Sequence, residues 1–308
     1  MVGGVRAASD AAFHDLVART LDHYRARLFN PHWGEQIVFG PGNRIRFAMV
    51  CQGLDDGLAQ AAWSPFLDWL AGPPPGIGTD GPFFIATVPA RHFWDAGFIR
   101  RNIPTFAAWD ERPGAPEGDF FWAGDGGQVG QFLHAYRSAW LPAALLRDEG
   151  VGPLADALFA VSRHWPVALH VNKGLAGAPA EVVEAARDTA VHPAALDAFA
   201  LAISSAAGPP AYPGLPGREP DLAAARRQAA AVGRAMEPLL ALVPEAGSYL
   251  AEGDYFEPAW QRRFWGPNHP RLAAVKRRYD PDGLFFVHHG VGSEAWGPDG
   301  FDRLDGAR

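Results

Sequence analysis

Residues 247–296 read GSYLAEGDYFEPAWQRRFWGPNHPRLAAVKRRYDPDGLFFVHHGVGSEAW. The stretch interleaves Trp, Tyr and Phe with Asp, Asn and His, where a plain core segment would alternate apolar and polar residues. Aromatic faces beside hydrogen-bonding groups suit a large, flat, polar ligand. Glu257-Pro258 opens a helical turn, because proline is tolerated at the first helical position, and Trp260, Phe264 and Trp265 follow at helical spacing. Gly266-Pro267 breaks that turn. Pro270 opens a second helix with Leu272, Val275 and Tyr279 on one face. Lys276, Arg277 and Arg278 occupy its last turns, where cations favour the helix dipole. Asp280-Pro281-Asp282-Gly283 ends it, since a residue before proline leaves the α region and glycine supplies the turn. Residues 284–287 read as a short apolar strand.

These residues carry a resemblance. Tyr249-x-x-Glu252, Trp260-Gln261, Phe264-Trp265-Gly266-x-Asn268, Arg271-Leu272, Lys276, Tyr279-Asp280-Pro281, Phe285 and the run from His288 through Gly292-Ser293-Glu294 to Trp296 stand in order. Together they resemble the C-terminal segment of berberine-bridge-enzyme-like FAD-linked oxidases of the vanillyl-alcohol-oxidase superfamily. Residues 30–36 (NPHWGEQ) and 170–174 (HVNKG) resemble the substrate domain of bacterial members. The resemblance implies a large antiparallel sheet whose open face covers the flavin.

Upstream, the chain alternates strands and helices without the repeated short βαβ spacing of a parallel sheet. Ser9 caps a helix with Phe13, Leu16, Val17, Leu21, Tyr24 and Leu28 on one face. Residues 35–39 and 44–52 form a hairpin around Gly40-Pro41-Gly42-Asn43, and Ile45, Phe47 and Met49 mark its buried face. A helix over 57–70 turns Leu58, Trp63, Phe66, Leu67 and Leu70 inward. Strands are expected at 83–88, 120–122 and 166–172, and helices at 131–146, 154–164, 180–190 and 221–242. Periodicity leaves 196–205 as strand or helix. The fold expected is α+β, an antiparallel sheet with helices on one face. Residues 1–246 would be the substrate domain, 247–296 the flavin-contacting segment and 297–308 a tail.

Composition narrows the partners. At 308 residues and 48% hydrophobic, the chain can bury a sizeable core. A net charge of −7 argues against nucleic acid. The single Cys51 excludes an internal disulfide framework. No run is apolar enough for a bilayer span, and a cytoplasmic location is the expectation. No glycine-rich nest precedes a helix as pyrophosphate binding requires, and Gly124-Asp125-Gly126-Gly127 reads as a loop. By the resemblance, the chain is the C-terminal half to two-thirds of an oxidase, its partner an N-terminal FAD-binding domain or subunit.

Tyr249 and Glu252 stand where the family carries its proton-accepting motif, with Ala251 in place of the usual asparagine. Packing of Tyr249 and solvation of Glu252 is the alternative. Trp265, Gly266 and Asn268 match the region bordering the isoalloxazine, and Asn268 could instead cap the helix before Pro270. His170 and Asn172 alternate with Leu169 and Val171 and so share a strand face that could look toward substrate or be satisfied locally. Glu35 and Gln36 are similar candidates. His288 and His289, adjacent on a strand, would point to opposite faces, so no metal site is expected. The resemblance implies hydride transfer to FAD from an alcohol, amine or sugar-like carbon of a small-molecule substrate. A non-catalytic binding or assembly subunit, or a remnant, is the alternative.

Overall fold

Alternation decides the sheet. Ile45, Phe47 and Met49 are buried while Arg44, Arg46 and Ala48 between them are exposed, as a strand with one covered face requires. The computed structural model of the chain describes residues 1–297 and 299–304. Of the expected tail, positions 298 and 305–308 therefore lie outside the described residues. Nine strands are described: β1 Val2–Ala7, β2 Trp33–Gly40, β3 Arg44–Cys51, β4 Ile77–Thr79, β5 Ala107–Trp109, β6 Phe120–Trp122, β7 Gln131–Pro142, β8 Val167–Val171 and β9 Ala198–Pro210. Seven form one sheet in the order β4-β1-β3-β2-β8-β9-β7, with every pair antiparallel. Strands β5 and β6 pair separately.

The α-helices are α1 Asp10–His23, α2 Asp56–Ala71, α3 Ala96–Asn102, α4 Asp148–Ser162, α5 Ala180–Arg187, α6 Leu222–Leu242 and α7 His269–Tyr279. Ser9 caps α1, its side chain accepting from Ala12 N–H, and Asp221 caps α6 through Ala224 N–H. Helices α1, α2, α4 and α6 send Phe13, Leu16, Trp63, Phe66, Leu158 and Met236 into one core with Ile37, Phe47, Leu169 and Ala202 of the sheet. The expected α+β arrangement, with helices on one face, is what the chain adopts. The other face of the sheet is left open to the C-terminal segment. No helix among the described residues is long and apolar enough to cross a membrane.

Several elements differ from expectation, each for a physical reason. Residues 131–142, expected as helix, form the edge strand β7. Ser138, Ala139, Trp140 and Leu141 are all buried, so both faces are covered and the period-2 signal vanishes. The undecided stretch near 196–205 is strand β9, again buried on both faces from Ala198 to Ser204. At 83–88 there is a lone bridge between Val2 and Phe84 instead of a strand. Leu58 lies outward at the start of α2, 58% exposed. Residues 284–287 do not pair as a strand, because Asp280 takes the Leu284 and Phe285 N–H groups at 2.8 and 3.0 Å. On α7, Val275 and Tyr279 are exposed and Ala273 is the buried residue.

Two polar side chains on the helical side, His23 buried and Asn172 half-buried, generate predictions. His23 sits 5.1 Å from the Trp63 ring and 5.2 Å from the Phe66 ring, and its Nε2 is buried without a partner. Burial, with Arg19 and Arg27 nearby, lowers its pKa to about 4. The folded value lies below the unfolded one, so the neutral ring stabilises above pH 6.5 and that contribution is lost as pH falls from 6.5 through about 4. The loss amounts to roughly 3 kcal/mol. His23→Phe is therefore expected to flatten the fall in melting temperature between pH 7 and 4, and an unchanged slope would count against this assignment.

Asn172 adopts φ +56°. Its Oδ1 accepts from Tyr24 Oη at 3.0 Å, and its Nδ2 donates to the carbonyls of Asn30, at 3.0 Å, and Trp33. Tyr24 is only 1% exposed, so truncating its partner strands a buried hydroxyl. Asn172→Ala should cost about 2–4 kcal/mol in a denaturant melt, from the lost bonds and the left-handed backbone. A variant as stable as the parent would contradict this.

Candidate active site on the open face of the sheet

Register places the candidate residues before any side chain is considered. Gln36 of β2 pairs with His170 of β8, His170 with Leu201 of β9, and Leu201 with Trp140 of β7. Paired residues share a face, so this row crosses the open side while Ile37, Leu169 and Ala202 face the helices. Glu35 pairs with Met49 and Val171, both core residues, and regular alternation would point it at the helices. Its φ of +74° breaks the alternation. The side chain is 44% exposed and its Oε2 stands 3.7 Å from His170 Nδ1.

Asn172 goes the other way. It was expected to share the His170 face, but the strand ends at Val171 and the left-handed backbone turns the amide toward Tyr24 and the loop carbonyls. It is a core clamp and not a member of the open-face row.

The C-terminal segment lies over β7. Trp140 N–H donates to Gly247 O at 3.0 Å, the Ser138 and Ser248 hydroxyls bond at 2.7 Å, and Tyr249 N–H donates to Ser138 Oγ at 3.0 Å. Arg263 donates to the carbonyls of Ala246 and Ser138. This seam sets Tyr249 edge-on to Trp140, ring centroids 6.3 Å apart. It also brings Glu252 to Tyr136, whose Oη donates to Glu252 Oε1 at 3.3 Å. The other carboxylate oxygen, Oε2, is buried without a partner, as is His170 Nδ1.

The electrostatics assign proton positions. Burial first, then the Glu252 charge and its hydrogen bond, push the Tyr136 phenol up to about 12. Tyr136 thus keeps its proton at neutral pH and donates. Burial, then Lys173, lower the His170 pKa, against the opposing pull of Glu35 and Glu252, so the ring is held toward its neutral form. The structure brings together Glu35, Gln36, His170, Tyr249 and Glu252. Tyr136 is the member that sequence reasoning missed, because its stretch reads as a helix; its aromatic-rich, β-favouring composition was the available signal.

Two of the three residues assigned to the ring edge of a flavin, Asn268 and Gly266, are otherwise engaged. Asn268 Nδ2 donates to the carbonyls of Thr189, at 3.2 Å, and Val191, at 2.9 Å, and its side chain makes no helix-cap bond. Gly266, at φ +55°, packs on His192, where an added Cβ would lie 2.7 Å from Nε2. Trp265 Nε1 is buried without a partner. Asn268 and Gly266 fasten the 189–195 loop to the segment. His288 and His289 lie in a turn, with φ +58° at His289. Their rings stack face to face at 3.8 Å and do not diverge to opposite faces.

Residues 248–292 match the berberine and berberine-like family. An uncharacterized FAD-linked oxidoreductase of Arthroderma benhamiae is 55% identical over 67 residues, 21% of this chain and 11% of that protein. The VAO-type flavoprotein oxidase VAO615 of Thermothelomyces thermophilus is 41% identical over 86 residues, 28% of this chain and 15% of that protein. Among solved structures, the VAO-type flavoprotein MtVAO615 from Myceliophthora thermophila C1 superposes with a TM-score of 0.61 at 23% identity, over 96% of this chain and 48% of that one. The carbohydrate oxidase from Microdochium nivale gives 0.57 at 16% identity, over 94% and 54%. The chain thus spans about half the length of these solved structures. The C-terminal segment is thus similar to the berberine and berberine-like family, and the fold of the chain is similar to that of about half of a VAO-type flavoprotein.

Proposed function

We propose that this chain is the substrate-domain part of an FAD-linked oxidoreductase, with Glu252 as the group that accepts the substrate proton. One observation carries the reading: a buried carboxylate oxygen with no partner, on a side chain whose other oxygen is held by a phenol that keeps its proton. A substrate O–H or N–H would supply the missing donor to Glu252 Oε2. Tyr136 fixes the carboxylate in place, and His170, held toward neutrality beside Glu35, offers a second polar contact through Nδ1. Gln36 lies on the same row and would contact the substrate's far side.

This face is the better place for a flavin than Asn268 and Gly266, which already serve the 189–195 loop. Leu201 and Trp140 are buried beneath this face, with Tyr249 edge-on to Trp140 and the unpartnered atoms of His170 and Glu252 beside them. Bound there, the flavin supplies a hydride acceptor. The chain's own part is to orient the substrate and take its proton. We propose that the remaining cofactor contacts come from an N-terminal FAD-binding domain or subunit.

In the flavin-loaded protein, Glu252→Gln should slow anaerobic flavin reduction by roughly 100-fold or more, and Tyr136→Phe by roughly tenfold, with flavin content unchanged. Reduction at the parent rate in Glu252→Gln would exclude the carboxylate as base. The 308-residue chain alone is expected to leave a gel-filtration column colourless after mixing with FAD. One ring edge gives too little to offset the roughly 4–15 kcal/mol cost of association. A yellow chain with a stoichiometric flavin band would refute the need for a second FAD-binding unit.

A further inference from the structure

The clamp made by Asn172 also shapes a feature that the open-face row does not enter. A cavity of about 670 Å³ lies between residues 29–34 running into β2, residues 50–52 at the end of β3 and residues 174–179 beyond β8. Its volume is within the range of small-ligand sites. Gln36, His170, Leu201, Trp140 and Glu252 are not among its lining residues. Its walls are fixed from within the chain. Asn172 Nδ2 holds the carbonyls of Asn30 and Trp33, and Gln52 N–H donates to His32 O at 2.8 Å. Beyond β8, Leu175 N–H donates to Ala195 O at 2.8 Å and Ala176 N–H to Ala198 O at 3.2 Å.

Charge and hydrogen bonding narrow what this space can hold. No charged side chain among the described residues lines it, so a carboxylate, phosphate or ammonium group would enter without a counter-ion. The side-chain amides are committed: Asn30 Oδ1 accepts from His32 N–H at 3.0 Å, Asn30 Nδ2 donates to Arg27 O, and Gln52 Nε2 donates to Pro31 O. Much of the rest of the wall is hydrocarbon, from Phe29, Pro31, Val50, Ala176, Ala178 and Pro179. A sugar, which needs many donors and acceptors, finds few free partners here.

One polar atom stands apart. His32 Nδ1 lies 3.0 Å from Gln52 O. A carbonyl only accepts, so Nδ1 carries the proton, and the neutral ring presents Nε2 as an acceptor. Nε2 has no partner among the described residues.

From this uncharged cavity and its one free acceptor we infer a second small-molecule site. It takes an uncharged, mainly hydrocarbon molecule that donates a single hydrogen bond to His32 Nε2. The site is independent of the role proposed for Glu252 and stands if that role fails.

The probe is 1-adamantanemethanol, titrated into the purified 308-residue chain by calorimetry, with its methyl ether and 1-adamantanecarboxylate as comparators. Saturable one-to-one binding of the alcohol is expected. The ether, which has no donor, should bind roughly threefold to tenfold more weakly, and the carboxylate roughly tenfold or more. Val50→Glu, at a position 56% exposed, puts a charge into the wall and should weaken the alcohol by roughly tenfold or more. His32→Phe should bring alcohol and ether to equal affinity, which a merely loosened loop would not do. Tyr255→Ala, at an exposed ring outside this cavity, should change nothing. Failure to saturate, preference for the carboxylate, or an ether that matches the alcohol on the parent chain would overturn the inference. So would parent-like binding by Val50→Glu, an alcohol–ether difference that persists in His32→Phe, or loss of binding in Tyr255→Ala.

Discussion

The buried bond between the Ser138 and Ser248 hydroxyls, 2.7 Å long, is the contact on which the candidate site depends. Ser138 lies at the centre of an edge strand, and its Oγ also accepts from Tyr249 N–H. Ser248 N–H in turn donates to Arg263 O, and the Arg263 guanidinium returns to the Ser138 and Ala246 carbonyls. A guanidinium buried to this degree is held mainly by backbone carbonyls, with Glu257 at 3.7 Å. Each of these groups is shielded from water, so leaving any one unmade costs about 1–3 kcal/mol. The closed circuit explains why residues without regular secondary structure keep one path across the strand. Glu252 meets Tyr136, and Tyr249 meets Trp140, only because that path is fixed.

A second constraint comes from the sheet. Alternation lets a strand send each residue to one of two faces, and a left-handed residue is the economical way to break it. Glu35 and Asn172 both do so, near the same end of the β2–β8 pair. Glu35 is thereby taken out of the core and set against His170. Asn172 is thereby taken into the core, where it gathers Tyr24 and the carbonyls around residues 30–33. Two polar residues with the same positive φ thus move in opposite directions, one off the helical face and the other onto it.

The fold was legible wherever one face of an element is wet. The hairpin of β2 and β3, the Ser9 cap and the α4 and α6 helices stood in the pattern of residues. It was not legible where both faces are covered, as in β7 and β9, because burial on both sides erases the period that separates strand from helix. The misread β7 hid Tyr136, and with it the partner of Glu252. His170, Gln36 and Glu252 could be found from their positions; the fate of Asn172, Asn268 and Gly266 could not, because each is decided by carbonyls or a ring far away in sequence. One signal was available and unused: Glu35 falls at an inward position of its strand, and a carboxylate there must be turned out or paired.

What remains unsatisfied is as informative as what is bonded. The chain fills the hydrogen-bonding capacity of Ser138, Ser248, Asn172 and Asn268 from within. Yet on the open face it leaves Glu252 Oε2 and His170 Nδ1 buried and bare. A buried polar atom without a partner destabilises the fold. Under the role proposed for this face, the cost is recovered when a ligand brings a donor to it. The unpaired oxygen of Glu252 is the atom to which the proposed role of proton acceptor falls, because it is the carboxylate oxygen that Tyr136 leaves unbonded.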